Sequence, residues 1–227
     1  MWLFTDQEKS LIRSLLEKGK IEQEKNKKFA IIDFDVFCRL FTPKEVTMFK
    51  KYLAIDPQKI GYKLPFIGMG QNTDNLVAIE GQLFLDANGE KKNIPCQYLP
   101  PETYEAYIQL NKALEGDISK KLLIQYGHRS LARQVFIFFD ILERIYDFDF
   151  DQTIKRVCFP DYSEHVCMKQ QAIDFKTEDG VKSEDFYQTK EYEWLKKNAM
   201  KFGFYESYPK DNIMDMMYEP WHWHHES

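Results

Sequence analysis

The sequence has few cysteines, and they lie far apart. Four occur in 227 residues (Cys38, Cys96, Cys158 and Cys167), and no two form a Cys-x-x-Cys pair. A structural zinc knuckle needs closely spaced cysteines and a disulfide framework needs many of them, so neither is indicated. We expect mostly buried free thiols.

The chain also lacks a long apolar run and an excess of positive charge. No stretch reaches the ~20 apolar residues of a spanning helix, and residues 1–6 lack the basic start and apolar core of a signal peptide. The formal net charge is -5, which offers no basic surface for a polyanion. We therefore predict no transmembrane segment and no nucleic-acid partner; the sequence does not indicate an oligomeric state.

What is present is typical of a folded globular protein. Hydrophobic residues make up 44% and charged residues 30%, with 18 Phe and 13 Tyr. A chain of 227 residues can bury a sizeable core, as one large domain or as a catalytic domain with a smaller appendage.

The first 70 residues are predicted to form a helical segment of unknown role. Apolar residues recur at helical spacing over 5–28, and Thr42-Pro43-Lys44-Glu45 is a helix start with a capping box, for a helix to about residue 55. Between them, residues 29–32 could form a short strand. Prolines and glycines over 57–70 then mark a boundary, which divides the chain into a helical segment, 1–70, and a main domain, 71–227.

Beyond the boundary, helices and short strands are mixed. Alternating apolar runs predict strands at 76–79, 82–85 and 121–126, and helical spacing predicts helices over 101–114, 130–146 and 191–202, the last ending at Gly203. No regular βαβ rhythm occurs. The pattern favours an α+β fold, with a small antiparallel sheet and flanking helices.

The most informative motif is the tail, Glu219-Pro220-Trp221-His222-Trp223. A zinc hydrolase needs imidazole or carboxylate ligands, one open position for water, and a carboxylate that takes the water's proton without ligating. Glu219 and His222 offer such a base and such a ligand. Taken alone, the motif is equally explained by aromatic core packing around a histidine.

Three earlier segments complete a candidate site. Residues 126–130 (Tyr-Gly-His-Arg-Ser), followed by Gln134, lie where a predicted strand meets a helix. Ser163-Glu164-His165 follows, and then Asp174, between the apolar residues Ile173 and Phe175. Burying an acid there is costly unless a metal or a charged partner holds it.

These four motifs, in this order over residues ~75 to 227, resemble the VanY-type D-alanyl-D-alanine carboxypeptidases. These are zinc peptidases of the LAS group, which also includes the LdcB-type L,D-carboxypeptidases. The resemblance implies the LAS fold, with zinc held by His165, Asp174 and His222 and with Glu219 as the general base. It further implies substrate contacts from a second set of side chains: Arg129, Ser130, Gln134, Ser163 and Trp221.

The sequence departs from the family pattern in several places. The family usually places its Asp seven residues after the first His with a Gly between; here the separation is nine, without a Gly. An even insertion can keep a strand residue on the same face. Cys167 is an alternative ligand to Asp174, although a buried inert thiol is the simpler interpretation. His128 replaces a family Tyr and Ser207 stands where an Arg is common; His224 and His225 are expected to be solvated tail residues.

The resemblance implies a zinc-dependent carboxypeptidase that removes a C-terminal D-amino acid, D-Ala, from peptidoglycan stem peptides. Arg129 would either stabilise developing negative charge or bind the substrate's terminal carboxylate. Two alternatives stay open: a murein-binding protein whose catalysis the insertion has impaired, and an endopeptidase of the same group. The compartment is the cytoplasm if the chain is complete as given, and the periplasm or cell envelope if a leader has been removed.

Overall fold

The computed structural model describes residues 3–68 and 75–226. The predicted boundary at residue 70 lies outside these residues, so the division of the chain there stays a prediction. The helices are α1 (Asp6–Lys25), α2 (Phe34–Cys38), α3 (Pro43–Leu53), α4 (Pro101–Ile118), α5 (Leu131–Arg144), α6 (Phe150–Arg156) and α7 (Lys190–Asn198). The strands are β1 (Val77–Ile79), β2 (Leu83–Leu85), β3 (Lys91–Asn93), β4 (Gln97–Leu99), β5 (Leu122–Tyr126), β6 (Gln170–Thr177), β7 (Phe204–Glu206) and β8 (His222–Glu226).

The described residues form two compact units, each assembled from separate parts of the chain. The first unit contains residues 3–68, Arg129–Ser163 and Ile213–Met217; the second contains 75–128, Glu164–Asn212 and 218–226. Residues 129–163, which the sequence division assigned to the main domain, therefore pack with the N-terminal helices.

The first unit is helical, as predicted for the N-terminal segment. The capping box at the start of α3 is present: Thr42 Oγ1 accepts from the backbone of Glu45, and the Glu45 carboxylate accepts from the backbone of Thr42. Helices α1 and α5 approach closely at Gly19, where a Cβ would overlap the ring of Phe136. Both Glu45 carboxylate oxygens also lie 2.7 Å from Lys18 Nζ, which ties α3 to α1.

The predicted strand at 29–32 is wrong. Phe29–Ile31 is a 3-10 turn in which the Phe29 side chain is buried. Its ring packs edge-on against Phe136, with centroids 5.4 Å apart. The Ala30 carbonyl accepts from the Ser130 backbone N–H, at the start of α5, in place of a neighbouring strand. A strand needs a neighbouring strand to bond its backbone groups. Here the backbone carbonyl of Ala30 bonds instead to the N-cap residue of α5.

The second unit is α+β, which confirms the predicted fold class. Its central sheet is antiparallel with strand order β5-β6-β8-β7, and β1 with β4 and β2 with β3 form two small antiparallel pairs. The core brings together one face of the sheet and the apolar faces of α4 and α7. It includes Leu110, Leu114, Phe175, Trp194, Leu195, Phe204 and Trp223.

The expectation of mostly buried free thiols is confirmed only in part. The cysteines are free, as predicted, but only Cys158 is buried, while the other three are partly exposed at the ends of helices or in loops. Among the residues that the structure describes, no helix has both the length and the apolar character to cross a membrane.

Candidate metal centre

Two neighbouring strands bring Asp174 and His222 side by side. Strands β6 and β8 pair in a register that sets Asp174 directly opposite His222. Opposite residues of an antiparallel pair direct their side chains to the same face. Asp174 Oδ1 accordingly lies 2.8 Å from His222 Nδ1, and both side chains are buried.

His165 reaches the same point from a turn. Residues 164–169 precede β6, and the Glu164 carbonyl accepts from the backbone N–H of Cys167 and of Ala172, which folds the turn back on the strand. His165 Nε2 lies 3.2 Å from Asp174 Oδ1. The His165 and His222 rings are 4.9 Å apart between centroids. The separation from His165 to Asp174 is two residues longer than in the family pattern, and the turn before β6 accommodates the extra residues. Whether the insertion is even or odd therefore does not decide whether Asp174 faces His165.

The three side chains form a donor set that fits zinc. One ligand atom from each of His165, Asp174 and His222 lies within 4.8 Å of the others. Atoms bound tetrahedrally to zinc at ~2.1 Å lie about 3.4 Å apart, and three protein ligands leave a fourth position for water. Asp174, and not Cys167, supplies the third atom of this cluster.

The remaining ring nitrogens have fixed acceptors, as metal-binding histidines require. His165 Nδ1 donates to the Gly127 carbonyl at 2.9 Å, which leaves Nε2 for the ion. His222 Nε2 lies 2.8 Å from Glu164 Oε2, which leaves Nδ1 for the ion. These contacts set the tautomers that would allow both imidazoles to bind one ion.

The electrostatics of the cluster are dominated by its burial and its close pairs. Burial alone would lower the pKa of His222, but hydrogen bonds to Asp174 and Glu164 outweigh it and raise the pKa to about 10. Burial alone would raise the pKa of Asp174, but His165 and His222 hold it well below its usual range. Without an ion, the cluster therefore favours a protonated His222 between the two carboxylates; an ion bound at Nδ1 would displace the proton from that nitrogen.

Glu219 lies beside this cluster, and Trp221 packs in the hydrophobic core of the same unit. Glu219 Oε2 is 3.8 Å from His222 Nδ1, and the Glu219 backbone N–H donates to the Tyr208 carbonyl. At that distance a carboxylate can serve as a base next to an ion without being one of its ligands. The Trp221 side chain packs in the core cluster, so its suggested contact with substrate stays a prediction.

The other residues suggested for substrate contacts belong to the first unit. Ser130 Oγ accepts from the Arg133 backbone and so caps α5, while Gln134 Nε2 donates to the Cys158 carbonyl. Ser163 is buried. Arg129 begins the second segment of that unit. Their roles toward a substrate stay predictions.

The expectation that His224 and His225 are solvated tail residues is wrong. Both lie in β8, which is paired on both sides. His225 is 8% exposed and packs on the Phe204 ring, with centroids 5.0 Å apart. His224 Nδ1 is 2.8 Å from Ser207 Oγ. Two polar histidines near a terminus looked like a tail because the pairing of β8 with β6 and β7 is non-local.

The sequence predicted no role for two residues near the site, Glu164 and His128. Glu164, between two motif residues, contacts His222 directly. Its signal was only its place next to His165. His128, noted as a departure from the family pattern, is buried, and its Nδ1 lies 2.7 Å from Gln171 Oε1.

A family model matches more than half of the chain. Residues 96–227 match the model described as "VanY: D-alanyl-D-alanine carboxypeptidase". The match includes His165, Asp174, His222 and Glu219.

One relative is the Bacillus subtilis (strain 168) protein named "Putative carboxypeptidase YodJ". It is 27% identical over 169 residues, which cover 67% of this chain and 60% of the relative. The chain thus matches less than two thirds of that protein's length.

Solved structures share the fold. The LdcB LD-carboxypeptidase aligns with a TM-score of 0.52 at 24% identity, covering 70% of this chain and 74% of LdcB. A variant of the vancomycin resistance D,D-pentapeptidase VanY, in complex with Zn(II), aligns with a TM-score of 0.50 at 22% identity, covering 73% of this chain and 89% of that one.

Proposed function

Because the chain belongs to the VanY family of D-alanyl-D-alanine carboxypeptidases, we propose that it is a zinc-dependent carboxypeptidase that removes a C-terminal D-alanine from peptidoglycan stem peptides. The observation that carries the proposal is the buried cluster of His165, Asp174 and His222 with the Glu219 carboxylate beside it. A structural zinc site usually has four protein ligands, whereas three ligands with a non-ligating carboxylate beside them are typical of a catalytic site.

The residues of the second unit divide the chemistry between binding an ion and moving a proton. His165 Nε2, Asp174 Oδ1 and His222 Nδ1 are the atoms that would hold zinc. When bound, zinc lowers the pKa of a coordinated water toward ~7 and polarises a peptide carbonyl. Glu219 accepts the proton of the attacking water and then delivers it to the departing amine.

Arg129 is proposed to act on the substrate, in one of two roles. A planar guanidinium can pair with the terminal carboxylate of a stem peptide, which would restrict cleavage to single C-terminal residues. It can instead stabilise the negative charge that develops on the carbonyl oxygen. In Arg129→Lys, the first role predicts a raised KM and the second predicts a lowered kcat.

The test is a defined set of substrates. Purified protein is incubated with tri-, tetra- and pentapeptide stems, with and without a chelator, and the products are identified by mass spectrometry. We expect loss of a single alanine and no reaction with the chelator. Loss from the pentapeptide indicates D,D-cleavage, and loss from the tetrapeptide indicates L,D-cleavage.

Three other results would replace the proposal. A cut within the stem or a cross-bridge would identify an endopeptidase. Bound zinc with every stem left intact would contradict the catalytic proposal, and intact stems without zinc would favour a murein-binding protein that has lost its metal.

A further inference from the structure

We propose that Glu164 is a positioning residue, which fixes the tautomer and ring orientation of His222, and that Ser207 and His224 hold Glu164 in place. The inference rests on the proposed function only in requiring that His222 bind a metal ion. It does not depend on which peptide is cleaved.

The contact between Glu164 and His222 is short and largely buried. Glu164 Oε2 lies 2.8 Å from His222 Nε2, with side-chain exposures of 13% and 4%. Placing a carboxylate in such a site is costly unless its oxygens are well paired. The imidazole therefore satisfies Glu164 and is in turn oriented by it.

The contact with Glu164 determines which ring nitrogen of His222 carries the proton. Each of its ring nitrogens faces a carboxylate oxygen, Asp174 Oδ1 at Nδ1 and Glu164 Oε2 at Nε2, both at 2.8 Å. A neutral imidazole carries one proton, and the nitrogen that binds a metal must be the one without it. With its proton on Nε2 and donated to Glu164, His222 presents the Nδ1 lone pair toward the side where Asp174 and His165 lie. Without Glu164, Asp174 would be the remaining acceptor and would favour the proton on Nδ1.

Two further side chains fix the Glu164 carboxylate. Ser207 Oγ donates to Glu164 Oε2 at 2.6 Å, and His224 Nδ1 lies 2.8 Å from Ser207 Oγ and 3.5 Å from Glu164 Oε1. Because the Ser207 hydroxyl has one proton and gives it to Glu164, it accepts from His224 Nδ1–H. Strand geometry supports the arrangement, since His222 and His224 are two positions apart in β8 and lie on the same face.

The experiment compares zinc affinity among single variants, measured by competition with a chelator and without any peptide. We expect Glu164→Ala to weaken zinc binding by about 10- to 100-fold, as loss of an orienting partner does. In the cobalt-substituted protein, the visible absorption bands should shift, because the Nδ1 ligand is no longer held in place. Glu164→Gln, which still offers an oxygen to Nε2–H, should restore most of the affinity.

Glu193→Ala serves as a control for the loss of an acidic side chain, and Ser207→Ala as a milder variant. Glu193 is an exposed acid on α7 in the same unit, so Glu193→Ala should bind zinc like the wild type. If Glu164→Ala does not fold, Ser207→Ala removes one donor to Glu164 and should weaken zinc binding about fivefold.

The inference is overturned if Glu164→Ala binds zinc with an affinity within about twofold of the wild type and its cobalt bands are unchanged. If Glu164→Ala does not fold, the same result for Ser207→Ala overturns it. It is also overturned if the wild type binds neither metal. If the wild type binds zinc and the Glu164 variants weaken it, the inference stands even when no stem peptide is cleaved, so its failure and that of the proposed function are distinguishable.

Discussion

His165 Nδ1 donates to the carbonyl oxygen of Gly127, 2.9 Å away, and the loop that carries this carbonyl has no room for a larger residue. A Cβ at position 127 would lie 2.5 Å from the Tyr98 carbonyl oxygen. That same carbonyl accepts from the His128 backbone N–H at 2.6 Å, so the two backbone segments are in direct contact.

Gly127→Ala is therefore expected to weaken zinc binding, by about 10-fold or more, because the displaced carbonyl no longer orients His165. Chelator competition on the purified variant measures the change. Gly116→Ala is the matched control, since nothing lies within 4 Å of a Cβ there. An unchanged affinity in Gly127→Ala would show that His165 does not need this acceptor.

Glu219→Gln should bind zinc normally and lose activity by at least ~10²-fold, because the amide cannot accept the proton of the attacking water. Metal analysis and turnover of the stem peptide are measured on the same sample. Near-normal turnover would remove Glu219 from the proposed role of base.

Asp174→Ala should abolish stoichiometric zinc binding, whereas Cys167→Ala should retain it. The carboxylate of Asp174 lies between the two imidazoles, and the thiol is not part of this cluster. Zinc per chain, measured after dialysis, compares the two variants directly. The opposite result would make Cys167 the third ligand.

Because Glu45 is paired with Lys18, we expect the first unit to lose stability at acidic pH. Burial alone would raise the pKa of Glu45, but hydrogen bonds from Lys18, Ser14 and Thr42 outweigh it and lower the pKa from 4.5 to about 2. The charged carboxylate is thus favoured in the folded state, and this stabilisation is complete above pH ~4.5 and lost as the pH falls toward 2.

Glu45→Gln should consequently lower the free energy of unfolding at pH 7 by about 1–3 kcal/mol. It should also flatten the fall of stability between pH 4.5 and 2. Thermal unfolding followed over this range tests both effects. Glu17→Gln, at an exposed position of α1, should keep the wild-type pH dependence; an equal slope in the Glu45 and Glu17 variants would contradict the assignment.

Local signals in the sequence predicted local structure well. The Thr42-to-Glu45 capping box needs only four consecutive residues, and α3 begins there as expected. The strand predicted at 29–32 was wrong because an apolar run of that length is decided by what it packs against, here Phe136, which is more than 100 positions away.

The candidate site shows the same limit. Motif order suggested His165, Asp174, His222 and Glu219, but their proximity depends on the pairing of β6 with β8, which no single motif contains. Glu164 went without a role because its partner, His222, lies 58 positions along the chain. His224 and His225 were misjudged for the same reason, since burial in β8 comes from strands β6 and β7.

Strands β6 and β8 occupy the two inner positions of the four-stranded sheet. Each has hydrogen-bonded neighbours on both sides, so Asp174 and His222 cannot separate without rupturing a ladder. His165, by contrast, is held by a turn. We therefore expect an ion to enter and leave when that turn moves, while β6 and β8 stay paired. Backbone amides should accordingly exchange their hydrogens quickly around His165 and slowly along both inner strands.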